Sequence, residues 1–308
     1  MESIVVIKDL TKVIKGRTII DNISFNVNKG EVFGFLGPNG AGKTTTIRMI
    51  VGLMSITSGD ITIGGASIKT KFEDAVRHVG AIVENPEMYK FLSGYQNLVH
   101  YARMVRGISK EKIDETVKLV GLSDRIHDKV KTYSLGMRQR LGLAQCLLHD
   151  PKVLILDEPT NGLDPAGIRE IRDYIRLLAR EKGMAVIVSS HILSEMEMMC
   201  DRIGIIQNGR LIDVQMVQEF VHSNTASFEF DAIPSEKALD LVRATFPNVP
   251  VTHSRNGITL ELPKKEVPEM VKLFVEEDIQ VFGIKEVSKT LEDRFLEVTS
   301  DKGASDHD

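Results

Sequence analysis

Apolar positions change their period along this chain, and those changes divide it into regions. Ser3–Leu10 reads as an opening strand, and after a basic turn Ile19, Ile23, Phe25 and Val27 are spaced as a second strand with one buried face. Glu31–Leu36 reads as a buried strand and Thr45–Val51 as the first turns of a helix. Because no helix separates the first strands, a small antiparallel sheet beside the main core is expected. Asp60–Ile63 is a short strand running into the Gly64-Gly65 turn, and Val79–Val83 is another that stops at Glu84-Asn85-Pro86.

From Ser93 to His149 the period becomes helical. Leu98, Tyr101, Ala102 and Val105 share a face, as do Ile113, Val117 and Val120. Ser134-Leu135-Gly136 then opens a helix striped by Met137, Leu141, Ala144 and Leu148. The pattern predicts a helical insert over about 86–149. Val153–Leu156 and Ala185–Val188 are unbroken aliphatic runs, as for parallel strands buried on both faces, and the helix Pro165–Lys182 between them has proline in its first turn. This alternation predicts a doubly wound α/β core.

Beyond the Gln207–Arg210 turn, Val214–Val221 is spaced as a helix and His222–Thr225 as a linker. A second set of elements follows: strand Ala226–Phe230, helix Ser235–Phe246, a strand near Val249–Thr252, an Asn256-Gly257 hairpin turn into strand Ile258–Leu262, helix Val267–Glu276, and strand Gln280–Ile284. An amphipathic helix over Thr290–Val298 would present Leu291, Phe295 and Val298. The expected organisation is a first domain over 1–222, a small α+β domain of split βαβ type over 223–300, and a disordered tail over 301–308.

Composition narrows the function classes. The chain has 308 residues, 42% of them hydrophobic, which is enough for a substantial core. Its net charge of −4 argues against non-specific binding to nucleic acid or anionic lipid, and no nucleic-acid partner is expected. Cys146 and Cys200 lie far apart without metal-like spacing and read as reduced core thiols. The start Met1-Glu2-Ser3-Ile4 shows no basic-then-apolar secretory pattern, and no apolar run approaches the ~20 residues that cross a bilayer. Any membrane role is therefore expected through a partner.

The chemistry centres on Gly37-Pro38-Asn39-Gly40-Ala41-Gly42-Lys43-Thr44, which fits G-x-x-x-x-G-K-[ST] between a strand and a helix. Glycines let the backbone wrap a polyphosphate with N–H groups inward, and the helix N-terminus adds a positive dipole end. Lys43 is placed to reach the β- and γ-phosphates, and the Thr44 hydroxyl to ligate Mg²⁺. Asp157 and Glu158 end the strand Val153–Leu156, where open parallel sheets place ligands. Asp157 then binds Mg²⁺ and Glu158 orients or deprotonates the attacking water. His191 follows the strand Ala185–Val188 through Ser189-Ser190, again at a strand's C-terminal end, where a γ-phosphate-sensing role is expected only together with the family resemblance that follows.

From about residue 4 to 220, these segments together resemble the ATP-binding subunits of ABC transporters. The resemblance rests on the phosphate loop, Val153–Thr160, Asn161-Gly162-Leu163-Asp164, His191, and Tyr133–Arg140, which looks like the family's signature loop. It implies a P-loop NTPase core with an antiparallel β subdomain and a helical insert, using ATP and Mg²⁺. It further implies a homodimer meeting head to tail, with Ser134, Leu135, Gly136 and Met137 of one copy at the ATP held by Gly37–Thr45 of the other, Asp164 at the dimer contact, and a polytopic membrane permease as partner at the cytoplasmic face of a bacterial membrane.

Some positions depart from the family pattern. Leu135 stands where a glycine is usual and Met137 where a glutamine is usual. Glu84 replaces a glutamine that touches Mg²⁺, and Ile14 sits within one residue of an aromatic that stacks on adenine. Such stacking is worth about 1–3 kcal/mol, or roughly 5- to 100-fold in affinity where nothing compensates. With the 290–299 segment, the Glu84 and Leu135-Gly136-Met137 departures resemble the bacitracin and lantibiotic resistance branch of exporters. The expected function is ATP hydrolysis driving export of a peptide antibiotic or other amphiphile. The competing readings are a soluble or regulatory nucleotide-gated switch, and a transporter of another substrate.

Overall fold

The computed structural model describes residues 2–218, 226–247, 249–254 and 257–287. It divides into two compact units, Met1–Gln215 and Met216–Asp308.

In the first unit, β1 (Ser3–Ile14) and β2 (Arg17–Asn28) form a long antiparallel hairpin, joined by β4 (Ser58–Ile63) and β5 (Ala66–Ser67) in the order β2-β1-β4-β5. The expected antiparallel sheet is thus present, and β1 runs four residues past the Leu10 end of the stretch read from the sequence. Bulges in β1 shift its register between Ile7 and Leu10 and again by Val13, which breaks the period-2 pattern without ending the strand.

The second sheet is built from β3 (Val32–Leu36), β6 (Val79–Ile82), β7 (Val153–Asp157), β8 (Ala185–Ser190), β9 (Arg202–Gln207) and β10 (Arg210–Met216), in the order β10-β9-β3-β8-β7-β6. The pairs β3–β8, β3–β9, β6–β7 and β7–β8 are parallel, and every residue of β3, β7 and β8 is buried, as their unbroken apolar runs require. One apolar cluster spans both sheets, with Phe25 stacked on Phe33 at 5.0 Å between ring centroids.

Helix α1 (Lys43–Ile50) follows β3, and α2 (Phe72–Val76) is a short turn of helix that the pattern did not reveal. The helical insert comprises α3 (Gly94–Ala102), α4 (Lys110–Leu119) and α5 (Leu135–Leu147). Ser93 and Gln96 make a reciprocal capping box at the start of α3. Val105, read as part of that helix's buried face, lies beyond its end and is 44% exposed. Helix α6 (Pro165–Lys182) ends at Gly183 in the left-handed conformation, and α7 (Leu193–Met199) follows β8.

One reading is corrected. Val214–Met216, expected to begin a helix, belongs to strand β10, and helical backbone starts only at Val217. The turn Asn208-Gly209 has positive φ at both residues (48° and 79°), the geometry of a tight hairpin, and it commits the following residues to pair with β9. Spacing alone does not separate the two periods in so short an apolar run.

The second unit contains β11 (Ala226–Ile233), α8 (Ser235–Thr245), β12 (Val251–Ser254), β13 (Gly257–Leu262), α9 (Val267–Glu276) and β14 (Gln280–Val287). Its sheet is antiparallel with order β12-β13-β11-β14, a split βαβ arrangement. A separate core gathers Phe228, Phe230, Leu260 and Phe274. The 222–225 linker, Asn256, the 290–298 helix and the 301–308 tail lie outside the described residues.

Among the described residues no helix is long and apolar enough to cross a membrane. Cys146 and Cys200 are buried free thiols, and burial pushes Cys146 up to about 12. Phe230 is fully buried, edge-on to Phe274 at 5.5 Å. Phe230→Ala is expected to destabilise the second unit by about 3–5 kcal/mol. Guanidinium unfolding of the full chain checks this through the midpoint of that unit's transition.

Candidate active site

The chain's Gly37–Lys43 segment leaves β3 and turns into α1. A Cβ at Gly37 would lie 2.3 Å from the Ile206 carbonyl oxygen, so only glycine lets the loop pass this close to β9. Gly42 has φ 112° at the N-terminus of α1, with Ile20 Cδ1 2.4 Å from where a Cβ would sit. Gly40, by contrast, faces open space, as do exposed Pro38 and Asn39. Ala41 is buried, and Thr44 and Thr45 are half-buried on the first turn. The cradle is therefore anchored on its protein side and clear on the other, which suits a polyphosphate.

Lys43 is 5% exposed, and its ammonium donates to the carbonyls of Gly37 at 2.7 Å and Pro38 at 3.2 Å. Burial pushes its pKa down, while the neighbouring Glu158 and Asp157 carboxylates push it back up. The loop is latched from behind by the β9–β10 turn. Gly209 N–H donates to the Ala41 carbonyl at 2.9 Å, and the Gly209 carbonyl accepts from Asp21 N–H at 2.9 Å. A Cβ on Gly209 would meet the Ile19 carbonyl oxygen at 2.2 Å.

Because β3, β8 and β7 are neighbours in parallel, with Leu36 opposite Ser190 and Asp157 opposite Ser189, their C-terminal ends lie level. Asp157, 3% exposed, accepts a hydrogen bond from Ser189 Oγ at 2.5 Å. The same Ser189 hydroxyl accepts from Glu158 N–H at 3.0 Å. Glu158 sits at φ 49°, a left-handed conformation uncommon for a non-glycine residue and typical of side chains re-aimed at functional sites. Its Oε1 is 3.6 Å from Lys43 Nζ and 3.3 Å from His191 Nδ1. One carboxylate thus stands between a buried cation and an imidazole.

Other expected site residues gather elsewhere. Ser134 caps α5, accepting from Met137 N–H at 3.2 Å, and Asp164 caps α6, accepting from Gly167 N–H at 3.0 Å. The two caps are neighbours: Leu135 Cδ2 lies 3.2 Å from where a Cβ on Gly162 would be, and Leu163 Cδ2 lies 3.9 Å from the Cβ position of Gly136. Glu84, at φ 66°, pairs with Arg48 on α1 at 2.5 Å with its side chain 61% exposed. Ile14 ends β1, 39% exposed.

The donors near the phosphate loop are a Thr44 hydroxyl and the Asp157 carboxylate, hard oxygens that suit Mg²⁺. Among the described residues no cluster of three or more His, Cys, Asp or Glu forms a metal cage. Sequence reasoning did not find Ser189 or Gly209. The signals were present: a Ser-Ser pair ending an aliphatic strand, and a glycine in an Asn-Gly turn.

The chain was compared with known proteins. Residues 20–161 match the family model described as "ABC transporter". The chain is 62% identical over 98% of its length to the uncharacterized ABC transporter ATP-binding protein YhcH of Bacillus subtilis (strain 168), covering 97% of that protein. It is 40% identical over 97% of its length to the bacitracin transport ATP-binding protein BcrA of Bacillus licheniformis, covering 98% of it. A solved ATP-binding subunit of an ABC transporter superposes on 71% of this chain and 92% of its own, with TM-score 0.63 and 29% identity. The chain belongs to the ABC transporter ATP-binding proteins, and its activity class is that of an ATPase.

Gly209→Ala is expected to cost about 1–2 kcal/mol, because alanine is strained at φ 79° and its methyl meets the Ile19 carbonyl. The latch on Ala41 loosens with it. Thermal melts and ATP titration of the variant should show a lowered Tm and weaker nucleotide binding together.

Proposed function

We propose that this chain is the ATP-hydrolysing subunit of an exporter. In this reading two copies work head to tail beneath a separate membrane permease, which moves a peptide antibiotic or another amphiphile. The observation that carries the hydrolytic role is the Glu158 carboxylate, held 3.6 Å from Lys43 Nζ and 3.3 Å from His191 Nδ1. The export role is supported by similarity to proteins named for bacitracin transport, lantibiotic transport and linearmycin resistance.

The chemistry follows from these positions. Backbone N–H groups of the phosphate loop and the start of α1 bind the β- and γ-phosphates, and Lys43 turns from its loop carbonyls to their oxygens. Glu158 orients a water and takes its proton as the water oxygen bonds to the γ-phosphorus and the bridging P–O bond to ADP breaks. His191 holds the γ-phosphate and the Glu158 carboxylate in register. Thr44 and Asp157 would hold Mg²⁺, which neutralises phosphate charge. Glu84 supplies a further carboxylate on this side, released from Arg48. Ser134 and Gly136 of the second copy, at the N-terminus of its α5, complete the γ-phosphate contacts, so ATP favours the closed pair and hydrolysis releases it. Asp164 keeps the dimer-facing loop in shape by capping α6. Ile14 packs on the adenine.

Glu158→Gln is expected to reduce phosphate release by about 10²–10⁴-fold, the range for losing a general base, while MgATP still binds and the dimer persists. Phosphate release and light scattering measure the two effects, and wild-type turnover in the variant contradicts the assignment. For the export role, a strain lacking this chain should become more sensitive to bacitracin, with resistance restored by the wild-type chain and not by Lys43→Ala. Unchanged growth inhibition across bacitracin and lantibiotics would point to another cargo.

A further inference from the structure

The loop carrying Glu158 and the loop carrying His191 converge on one buried carboxylate outside the expected site. Glu195, in the first turn of α7, is 7% exposed. Its Oε2 accepts hydrogen bonds from Thr160 Oγ1 at 2.6 Å and from Ser190 Oγ at 3.4 Å. Thr160 is two residues past Glu158 and 5% exposed, and its carbonyl accepts from Leu163 N–H at 3.1 Å in the turn leading to Asp164. Ser190 immediately precedes His191 and is 2% exposed, and its hydroxyl also accepts from Ile192 N–H at 2.9 Å.

Helix α7 gives Glu195 a fixed base. Met196 is fully buried, and its sulfur lies 2.7 Å from where a Cβ on Gly34 would be, so α7 rests directly on the backbone of β3. A buried carboxylate that receives two hydroxyls is satisfied only while both loops stay docked. Losing either donor leaves this buried carboxylate with one hydroxyl in place of two.

We propose that Glu195 is a positioning residue for hydrolysis: through Thr160 and Ser190 it sets the Glu158 and His191 side chains at their mutual distance. The inference rests on the hydrolytic role of Glu158. Displacements of about 1 Å in such a constellation cost on the order of 100-fold in rate while leaving binding contacts intact. The effect therefore falls on kcat and spares nucleotide affinity, which Lys43 and its loop supply.

The test uses the purified full chain with Thr160→Val, which keeps volume and removes the hydroxyl, alongside Thr160→Ser, which restores it, and Glu195→Gln. Turnover is read with MgATP affinity, and independently of activity by the side-chain ¹⁵N resonances of His191, identified by their loss in His191→Gln. Thr160→Val should lower kcat by roughly 10- to 100-fold with Kd for MgATP within about threefold, and should move the His191 resonances; Thr160→Ser should return both toward wild type. Wild-type turnover in Thr160→Val, or unmoved His191 resonances, overturns the proposal even if Glu195→Gln does not fold. Absence of hydrolysis by the wild-type chain, with the His191 resonances still moved by Thr160→Val, would instead remove the hydrolytic reading and this role with it.

Discussion

A lysine ammonium held almost out of water is the constraint on which this structure turns. Lys43 is 5% exposed, and it stays there because two loop carbonyls and the Glu158 carboxylate surround it. Burying a charge is costly unless partners compensate, and here the carbonyls come from the end of β3 and the carboxylate from the end of β7. The parallel order β3-β8-β7 is what brings those ends level. The same arrangement that satisfies the cation also aims a carboxylate at the space over the phosphate loop.

Around that pair the molecule arranges polar groups in layers. Ser189 joins the backbone of Glu158 to the side chain of Asp157, and Glu195 joins the segments on either side. Asp157, Ser189, Thr160, Ser190 and Glu195 are all buried, where a hydrogen bond counts for more than at the surface. The left-handed backbone of Glu158 is kept by this surrounding network, not by its own preference. Behind the phosphate loop, the Gly209 latch plays the matching part for Ala41.

The Ser134–Met137 segment and the Asn161–Asp164 loop form a second contact, with Leu135 and Leu163 each packed over the other segment's glycine. Leu135, the departure from the family's usual glycine, thus has a physical role within one chain. It fills space above Gly162. The Glu84 departure likewise comes with a partner, since Arg48 on α1 offsets the added charge.

Much of this could be read from the residues in order. Local chemistry dictates the phosphate loop, since two glycines and a lysine at fixed spacing between strand and helix serve few other purposes, and buried parallel strands announce themselves as unbroken aliphatic runs. Asp157, Glu158 and His191 stand out in the sequence because each lies at or just past the end of such a run. The sequence did not reveal Ser189, Gly209, Thr160 or Glu195 as parts of the site, nor the strand over Val214–Met216. Each of these depends on which strands become neighbours, and strand order is a property of the packed sheet. Hydrophobic period reports what a segment buries locally; only the tertiary structure decides which distant polar atoms it is buried against.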